Sequence, residues 1–144
     1  MSRVSIALNI CTYHRTDFVR RNIEELLESK FFNRNDCKYY GRLDIFVIDN
    51  GCEISAYNNE FIHVFHNRNT GGSGGFQRGI EEIRQSNKTF SHVIFMDDDV
   101  EFELDTFYIL YDFLIFPLIM IHELQYILIY IVLQFFLFPY NQYI

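Results

Sequence analysis

The fold is decided by the stretch HVIFMDDD at residues 92–99, in which an apolar run leads directly into three carboxylates. Residues 92–96 have the length and composition of a buried strand. Two similar junctions precede it. VSIALNICTYHR at residues 4–15 leads from an alternating strand pattern into polar residues, and LDIFVIDNG at residues 43–51 ends in an Asp-Asn-Gly turn signal. The sequence therefore predicts three strands that each end in polar side chains.

Helical patterns separate these strands. The first helix begins at Thr16 or Asp17, either of which is suited to cap it. Its apolar residues recur at helical spacing and are Val19, Ile23, Leu26 and Leu27. A polar loop at 33–40, a short strand at 61–65 and a second helix from 76 to about 87 follow. Strands that alternate with helices predict an α/β domain with a mostly parallel sheet and flanking helices.

Composition limits the classes of protein to which this chain can belong. With 144 residues there is room for one domain. The net charge of −7, from 12 Lys and Arg against 19 Asp and Glu, disfavours a nucleic-acid-binding surface. Three cysteines without C-x-x-C spacing exclude a disulfide framework and a zinc knuckle. The N-terminus has no signal-peptide pattern, so we expect a cytoplasmic, acidic globular domain.

The acidic triplet suits a divalent cation. In open α/β sheets ligands bind beyond the carboxyl ends of the strands, so the three polar strand ends are expected to meet in one crevice. On an extended segment Asp97 and Asp99 face one side and Asp98 the other. Two carboxylates aimed at one point repel unless a cation lies between them, and Mg²⁺ or Mn²⁺ prefers such oxygen ligands. A solvated turn or a helix cap is the alternative for these residues.

A glycine-rich segment at 69–79 contains five of the seven glycines of the chain. It matches neither the dinucleotide-binding spacing nor the P-loop spacing. We expect it to be a loop in which the backbone passes close to a ligand, followed by a helix whose free N–H groups attract an anion. Arg78 would then lie in the first helical turn, where a cation needs an anionic partner. A flexible surface loop is the alternative.

Together these segments resemble glycosyltransferase family 2, and most closely its galactofuranosyltransferase and rhamnosyltransferase branch. The resemblance is carried by ICTYHR at 10–15, VIDNG at 47–51, the glycine-rich segment and FMDDD at 95–99. It covers about residues 4–112, which correspond to the nucleotide-binding half of the family's domain. It implies a GT-A fold, here incomplete, with a Rossmann-like, mostly parallel sheet.

The resemblance also implies an activity and a set of site residues. The activity is a metal-dependent, inverting transfer of a sugar from a nucleotide-diphosphate sugar, such as UDP-galactofuranose or dTDP-rhamnose, to a cell-surface glycan acceptor. Asp97 and Asp99 would bind Mn²⁺ or Mg²⁺. The implied nucleotide-sugar-binding residues are Thr12, Tyr13, Arg15, Asp49, Asn50, Asn69, Gly71, Gly72, Gly74, Gly75, Arg78, Asp97 and Asp98. No catalytic base is identified, because the family pattern ends after Asp112.

The last part of the chain differs in composition from the rest. Residues 113–144 are rich in aromatic side chains, and their only formal charge is Glu123. Three interpretations stay open, namely a membrane-associating helix, a buried helical pair, or the non-family end of a truncated or frame-shifted enzyme. The third is favoured and divides the chain into 1–112 and 113–144. An inactive nucleotide-sugar-binding fragment and a membrane-associated structural protein are the alternative functions, and a peripheral position on the cytoplasmic membrane is the alternative location.

Overall fold

The computed structural model describes residues 4–115, which contain four strands and three helices. In chain order they are β1 (Ile6–Thr12), α1 (Thr16–Leu27), β2 (Leu43–Asp49), β3 (Ile62–His66), α2 (Gly71–Gln85), β4 (His92–Asp97) and α3 (Leu104–Ile115). The predicted α/β class, a parallel sheet with flanking helices, is confirmed.

The four strands form one parallel sheet in the order β3-β2-β1-β4. The central strand β1 therefore lies between the two strands whose polar ends the sequence singled out. In the register Thr12 is paired with Asp49 of β2, and Cys11 with Asp97 of β4. The predicted convergence of the three strand ends on one edge of the sheet is thus confirmed.

The two long helices of this sheet domain cover opposite faces of it. The β1–α1–β2 and β3–α2–β4 connections run across the sheet in opposite directions, and right-handed crossovers then place their helices on opposite faces. On the α2 face Ala7, Phe46 and Ile83 form a buried cluster. Residues of β1 alternate between the faces, so that Ile6, Leu8 and Ile10 are fully buried on the other side.

Helix α1 has the predicted apolar face but a different N-terminus. Thr16 is its first residue, Arg15 is the N-cap, and no side chain caps the helix, so the predicted cap at Thr16 or Asp17 is wrong. Asp17 lies in the first turn, where a negative charge favours the helix dipole. Leu27, expected in the core, is only partly buried.

Helix α2 begins at Gly71, five residues earlier than the spacing of its apolar residues predicted. The predicted glycine loop at 69–79 is therefore wrong for most of its length, because residues 71–79 are helical. Glycine disfavours a helix by roughly 1 kcal/mol per residue, so packing must compensate for it here. Gly75 and Gly79 lie one turn apart and are both buried, which allows α2 to lie close to β1.

The described chain divides into two compact units, the first ending at Val100 and the second beginning at Glu101. In the second unit α3 buries Phe107, Leu110, Tyr111 and Leu114 along one face. Within residues 4–115 no helix combines the length and the apolar character needed to cross a membrane. Residues 116–144 of the predicted tail lie outside the described residues, and the predicted division at residue 112 stays a prediction.

Candidate functional site

The carboxyl edge of the sheet brings together the segments that the sequence predicted to bind a nucleotide sugar. Thr12, Asp49 and Asp97 end three adjacent strands. The start of α2 reaches the same edge, since Asn50 Nδ2 donates to the carbonyl oxygen of Gly71 at 3.3 Å. The glycine-rich segment and the acidic triplet are thus neighbours of β1, although they are far apart in the sequence.

Asp98 is the member of the triplet that is buried, with 7% of its surface exposed. The Thr12 hydroxyl donates to Asp98 Oδ2 at 2.8 Å. Arg15 Nη1 donates to Asp98 Oδ1 at 3.2 Å, so both carboxylate oxygens are engaged. This carboxylate ties the segment after β1 to the end of β4.

Arg15 connects two of the three carboxylates. The nitrogen that contacts Asp98 also donates to Asp99 Oδ2 at 2.6 Å. The charge of Asp98, followed by that of Asp99, raises the pKa of the Arg15 guanidinium above its ordinary value. The side chain of Arg15 remains half exposed, so the site carries a cation that a ligand can reach.

The exposure of the triplet alternates as predicted, because Asp97 and Asp99 are exposed and Asp98 is buried. The strand ends at Asp97, however, and Asp98 and Asp99 lie in a turn where one guanidinium contacts both. The Asp97 carboxylate makes no hydrogen bond or ion pair with the described residues.

These carboxylates fit the oxygen-donor chemistry of Mg²⁺ or Mn²⁺ but would not complete a site by themselves. No group of three or more His, Cys, Asp or Glu side chains within residues 4–115 is arranged to hold a metal ion. A divalent ion at Asp97 and Asp99 would therefore need further oxygen ligands from water or from a phosphate.

Asp49 is fully buried and organises the loop after β2. Its Oδ1 accepts from the Gly51 N–H at 2.9 Å, and its Oδ2 accepts from the N–H groups of Glu53 at 2.6 Å and Ile54 at 2.7 Å. The carboxylate is thus satisfied by the backbone of the loop it begins. Asp49 thus shapes the loop after β2, and its predicted role in nucleotide-sugar binding stays a prediction.

Asn50 joins this loop to β1 and to α2. Its Nδ2 lies 3.4 Å from Cys11 Sγ and also contacts Gly71, while its Oδ1 accepts from Asn67 Nδ2 at 2.8 Å. Asn67 in turn contacts the Thr70 hydroxyl at 3.3 Å. Burial, followed by the charges of Asp98 and Asp97, raises the pKa of the Cys11 thiol, which therefore stays protonated near neutral pH.

The glycine-rich segment has two kinds of glycine. Gly71 has a positive φ of 73°, and its N–H donates to Asn69 Oδ1 at 3.0 Å. Gly71 and Gly72 are open to solvent, with nothing near the position of a Cβ. A Cβ on Gly74 or Gly75, by contrast, would overlap the side chain of Thr70 or of Cys11. Gly71 and Gly72 therefore leave the start of the helix accessible, whereas Gly74 and Gly75 allow the side chains of Thr70 and Cys11 to pack closely against it.

Arg78 does not lie in the first helical turn as predicted, because α2 begins seven residues before it. Its Nε donates to Glu82 Oε1 at 2.6 Å, so its partner is a carboxylate one turn further along the same helix. The expectation of an anionic partner is met within the protein. Its predicted role in nucleotide-sugar binding stays a prediction.

Tyr13 and His14 follow β1 directly at the carboxyl edge of the sheet. Tyr13 is 48% exposed, and its ring lies 4.0 Å from the ring of His14, measured between centroids. His14 has a positive φ of 55°, and its Nδ1 lies 2.8 Å from Glu53 Oε1. This contact links the segment after β1 to the loop after β2.

A cavity of about 230 Å³ lies between α1 and the loop after β2, and Glu53, the partner of His14, is one of its lining residues. None of the residues predicted to bind a nucleotide sugar lines it. Its lining residues are Thr16, Arg20, Glu24, Glu53, Ile54, Ser55, Ala56 and Tyr57.

Sequence reasoning missed two residues that hold the site together, Asn22 and Asn67. Asn22 is 1% exposed, and its Nδ2 donates to the main-chain carbonyls of Asp98 and Val100 at 3.1 Å each. Its position among the apolar residues of α1 was the available signal, because a polar residue on a buried helix face needs a partner. Asn67 offered no such signal, since it lies among several asparagines in a loop.

A comparison with protein families agrees with this geometry. The description "Glycosyl transferase family 2" belongs to the family whose sequence pattern matches residues 8–121. Among curated proteins no relative matches the sequence. The family match spans most of the chain and includes the last five residues of β1, the other three strands, the carboxyl edge and the acidic triplet. This chain belongs to glycosyl transferase family 2.

Proposed function

We propose that the chain binds a nucleotide-diphosphate sugar at the carboxyl edge of its sheet and serves the metal-dependent, inverting transfer of that sugar to a glycan acceptor. Family membership supports glycosyl transfer in general. The donor is proposed to resemble UDP-galactofuranose or dTDP-rhamnose, and the acceptor a cell-surface glycan. The metal is proposed to be Mn²⁺ or Mg²⁺ at Asp97 and Asp99.

The observation that carries the proposal is the meeting of a half-exposed arginine, exposed carboxylates and an open helix start at one edge. Arg15 supplies a fixed positive charge beside Asp98 and Asp99. The N-terminus of α2, with Gly71 and Gly72 exposed, offers main-chain N–H groups and the positive end of a helix dipole. These are groups that suit a diphosphate, while the carboxylates suit the cation that accompanies it.

Each group would have a defined task. The exposed ring of Tyr13 can stack on a base, as aromatic side chains do on nucleotides. Thr12 and Arg15 hold Asp98 in place beneath the donor. A divalent cation bound there would neutralise the negative charge that develops on the leaving diphosphate.

Calorimetry tests the nucleotide and metal assignments. UDP and dTDP are titrated into the chain with and without Mn²⁺, and into the double variant Asp97→Asn/Asp99→Asn. We expect Mn²⁺ to tighten nucleotide binding in the wild type and to have little effect in the variant. The control is Glu28→Gln/Glu81→Gln, which removes the same charge from two exposed positions, at the end of α1 and in the C-terminal half of α2. Binding that is indifferent to Mn²⁺ and to the substitutions would discard the metal site, and absence of binding would discard the nucleotide site.

A transfer assay separates an enzyme from a binding module. The chain is incubated with a matched donor, a glycan acceptor and Mn²⁺, and the anomeric configuration of the product is determined. An inverted product supports the proposed reaction. Donor binding without product instead supports the alternative, a non-catalytic nucleotide-sugar-binding protein. We also propose a cytoplasmic location with peripheral membrane association through residues 113–144, for which cell fractionation is the test.

A further inference from the structure

Asn22 is a buried polar residue for which the proposed function provides no task. It lies on the apolar face of α1, between Val19 and Ile23, and 1% of its surface is exposed. An amide in such a position costs free energy unless its polar atoms are hydrogen bonded. The other buried residues of this helix face are apolar, so packing alone does not require an amide at position 22.

The Asn22 amide spans the acidic turn. Nδ2 donates to the carbonyl oxygen of Asp98 and to that of Val100, in both cases at 3.1 Å. These two residues flank Asp99. The main-chain hydrogen bond within the turn, from the Val100 N–H to the Asp97 carbonyl, is long at 3.4 Å. Two side-chain hydrogen bonds from a rigid helix therefore fix a turn that is weakly closed by its own backbone.

The contact acts on the main chain, whereas the other contacts of the turn act on its carboxylates. Thr12 and Arg15 hold the side chain of Asp98, and Arg15 also contacts Asp99. A ligand that binds to Asp97 and Asp99 competes with the contact between Arg15 and Asp99, but it leaves Asn22 in place. Asn22 can therefore keep the turn in one conformation whether or not a ligand is bound.

We propose that Asn22 is a positioning residue for the donor site, which sets the direction of the Asp97 and Asp99 carboxylates by holding the carbonyls of Asp98 and Val100. This role rests on the function proposed above. Asn22 contacts neither the nucleotide nor the cation and acts through the turn alone.

Three variants test this role. Asn22→Leu keeps the branching and the number of heavy atoms of the side chain and removes the donor, while Asn22→Gln keeps an amide donor on a longer side chain. Leu26→Ala is the control, because Leu26 is fully buried one turn further along the same face, and its truncation leaves a cavity there without removing a hydrogen bond. The readouts are the factor by which Mn²⁺ tightens UDP binding and the amide hydrogen exchange of residues 98–100.

We expect Asn22→Leu to reduce the Mn²⁺ enhancement of UDP affinity about tenfold, as loss of one or two hydrogen bonds does. Exchange at residues 98–100 is expected to accelerate in the same variant. Asn22→Gln should recover part of both effects. Leu26→Ala should lower the thermal midpoint while both readouts stay at the wild-type level. If Asn22→Leu fails to fold, Asn22→Ser, whose hydroxyl is too short to reach both carbonyls, replaces it with the same expectations.

The outcomes distinguish this inference from the proposed function. A wild-type chain that binds no UDP overturns the proposed function and this role with it. A wild-type chain that binds UDP more tightly with Mn²⁺, together with an Asn22→Leu variant that keeps the full enhancement, overturns only the role of Asn22. Equal loss of the enhancement in Leu26→Ala would also overturn it, because the effect would then follow general destabilisation.

Discussion

Asp98 shows how a single side chain can join segments that are distant in sequence. Its carboxylate receives hydrogen bonds from Thr12 and Arg15, more than eighty positions away, and its carbonyl receives one from Asn22. Hydrogen bonds to a charged group contribute roughly 1.5–3 kcal/mol each when they are buried. The contact from Thr12 is buried, whereas that from half-exposed Arg15 is screened by water. Asp98 is therefore tied to the fold, while Asp97 and Asp99 remain exposed.

His92 gives a prediction at the residue scale. Burial lowers the pKa of its imidazole below the ordinary value of 6.5, because the charged form is disfavoured away from water. The unfolded chain then binds a proton more readily than the folded chain, so stability from neutral His92 is complete above pH 6.5 and declines as the pH falls below it. In urea unfolding at pH 7.5 and 6.0, we expect His92→Gln to lose less stability between these values than the wild type. Asn87→Gln, at an exposed position without a titrating group, should retain the wild-type difference. Equal differences in all three proteins would contradict the assignment.

At the scale of elements, α2 is shaped by its glycines. Gly75 lies over Cys11 and Gly79 over Asn9, and a Cβ on either would overlap those side chains. Asn9 Nδ2 donates to the carbonyl oxygen of Phe76 at 3.0 Å, which is possible because the helix lies this close to β1. The same glycines that suggested a ligand loop in the sequence thus serve the contact between a helix and a sheet.

Substitutions within α2 test this division of its glycines. We expect Gly79→Ala to lower the free energy of unfolding by about 1–3 kcal/mol, because the new methyl group displaces buried Asn9. Gly72→Ala should raise it by about 0.5–1 kcal/mol, since Gly72 is exposed, has no positive φ and has open space around it. Urea unfolding measures both, and equal effects at the two positions would show that packing is not what requires glycine at 79.

At the scale of the whole sheet domain, a second polar cluster lies at the edge opposite the site. Asp44 is 1% exposed at the start of β2, and its Oδ2 accepts from His63 Nε2 at 2.8 Å and from Lys88 Nζ at 2.7 Å. Lys88 also lies 4.5 Å from the ring of Phe61. The cluster ties β2 and β3 to the segment that leads into β4, and it is separated from the acidic turn by the length of the strands.

This separation predicts that stability and ligand binding can be changed independently. We expect Lys88→Met to lower the free energy of unfolding by about 1–3 kcal/mol, because it leaves a buried carboxylate without its cation. The affinity for UDP with Mn²⁺ should stay within about twofold of the wild type. A substitution away from a site typically changes a free energy by at most about 0.5 kcal/mol, which corresponds to such a factor. Arg84→Met, which removes the same charge from an exposed helix position, should change neither quantity. Calorimetry measures the affinity for UDP, and urea unfolding measures the free energy of unfolding. A large loss of UDP affinity in Lys88→Met would contradict the prediction.

The sequence was sufficient for the strands and for the edge at which they converge. Strands β1, β2 and β4 are mostly apolar segments of six or seven residues that end in polar residues, and both features are local. The sequence was misleading for α2, because its glycines indicated a loop and not a helix. Gly75 and Gly79 are required by the close approach of β1 side chains, which the sequence of α2 does not show. The sequence provided no prediction for α3 (Leu104–Ile115), because apolar residues lie on most sides of this helix and no single apolar face stands out.

The amino-acid sequence by itself determined the class of fold, the parallel strands and the membership of a glycosyl transferase family, because periodicity and motif spacing are properties of neighbouring residues. Only the tertiary structure decided which polar groups are used inside the protein and which remain available. Asn50 and Asp98 are engaged by contacts from other segments, and Asp49 is engaged by the loop that follows it. Tyr13, Asp97 and Gly72, by contrast, are exposed at the carboxyl edge of the sheet. Burial and hydrogen bonding depend on residues brought together by folding, so no local pattern could assign them.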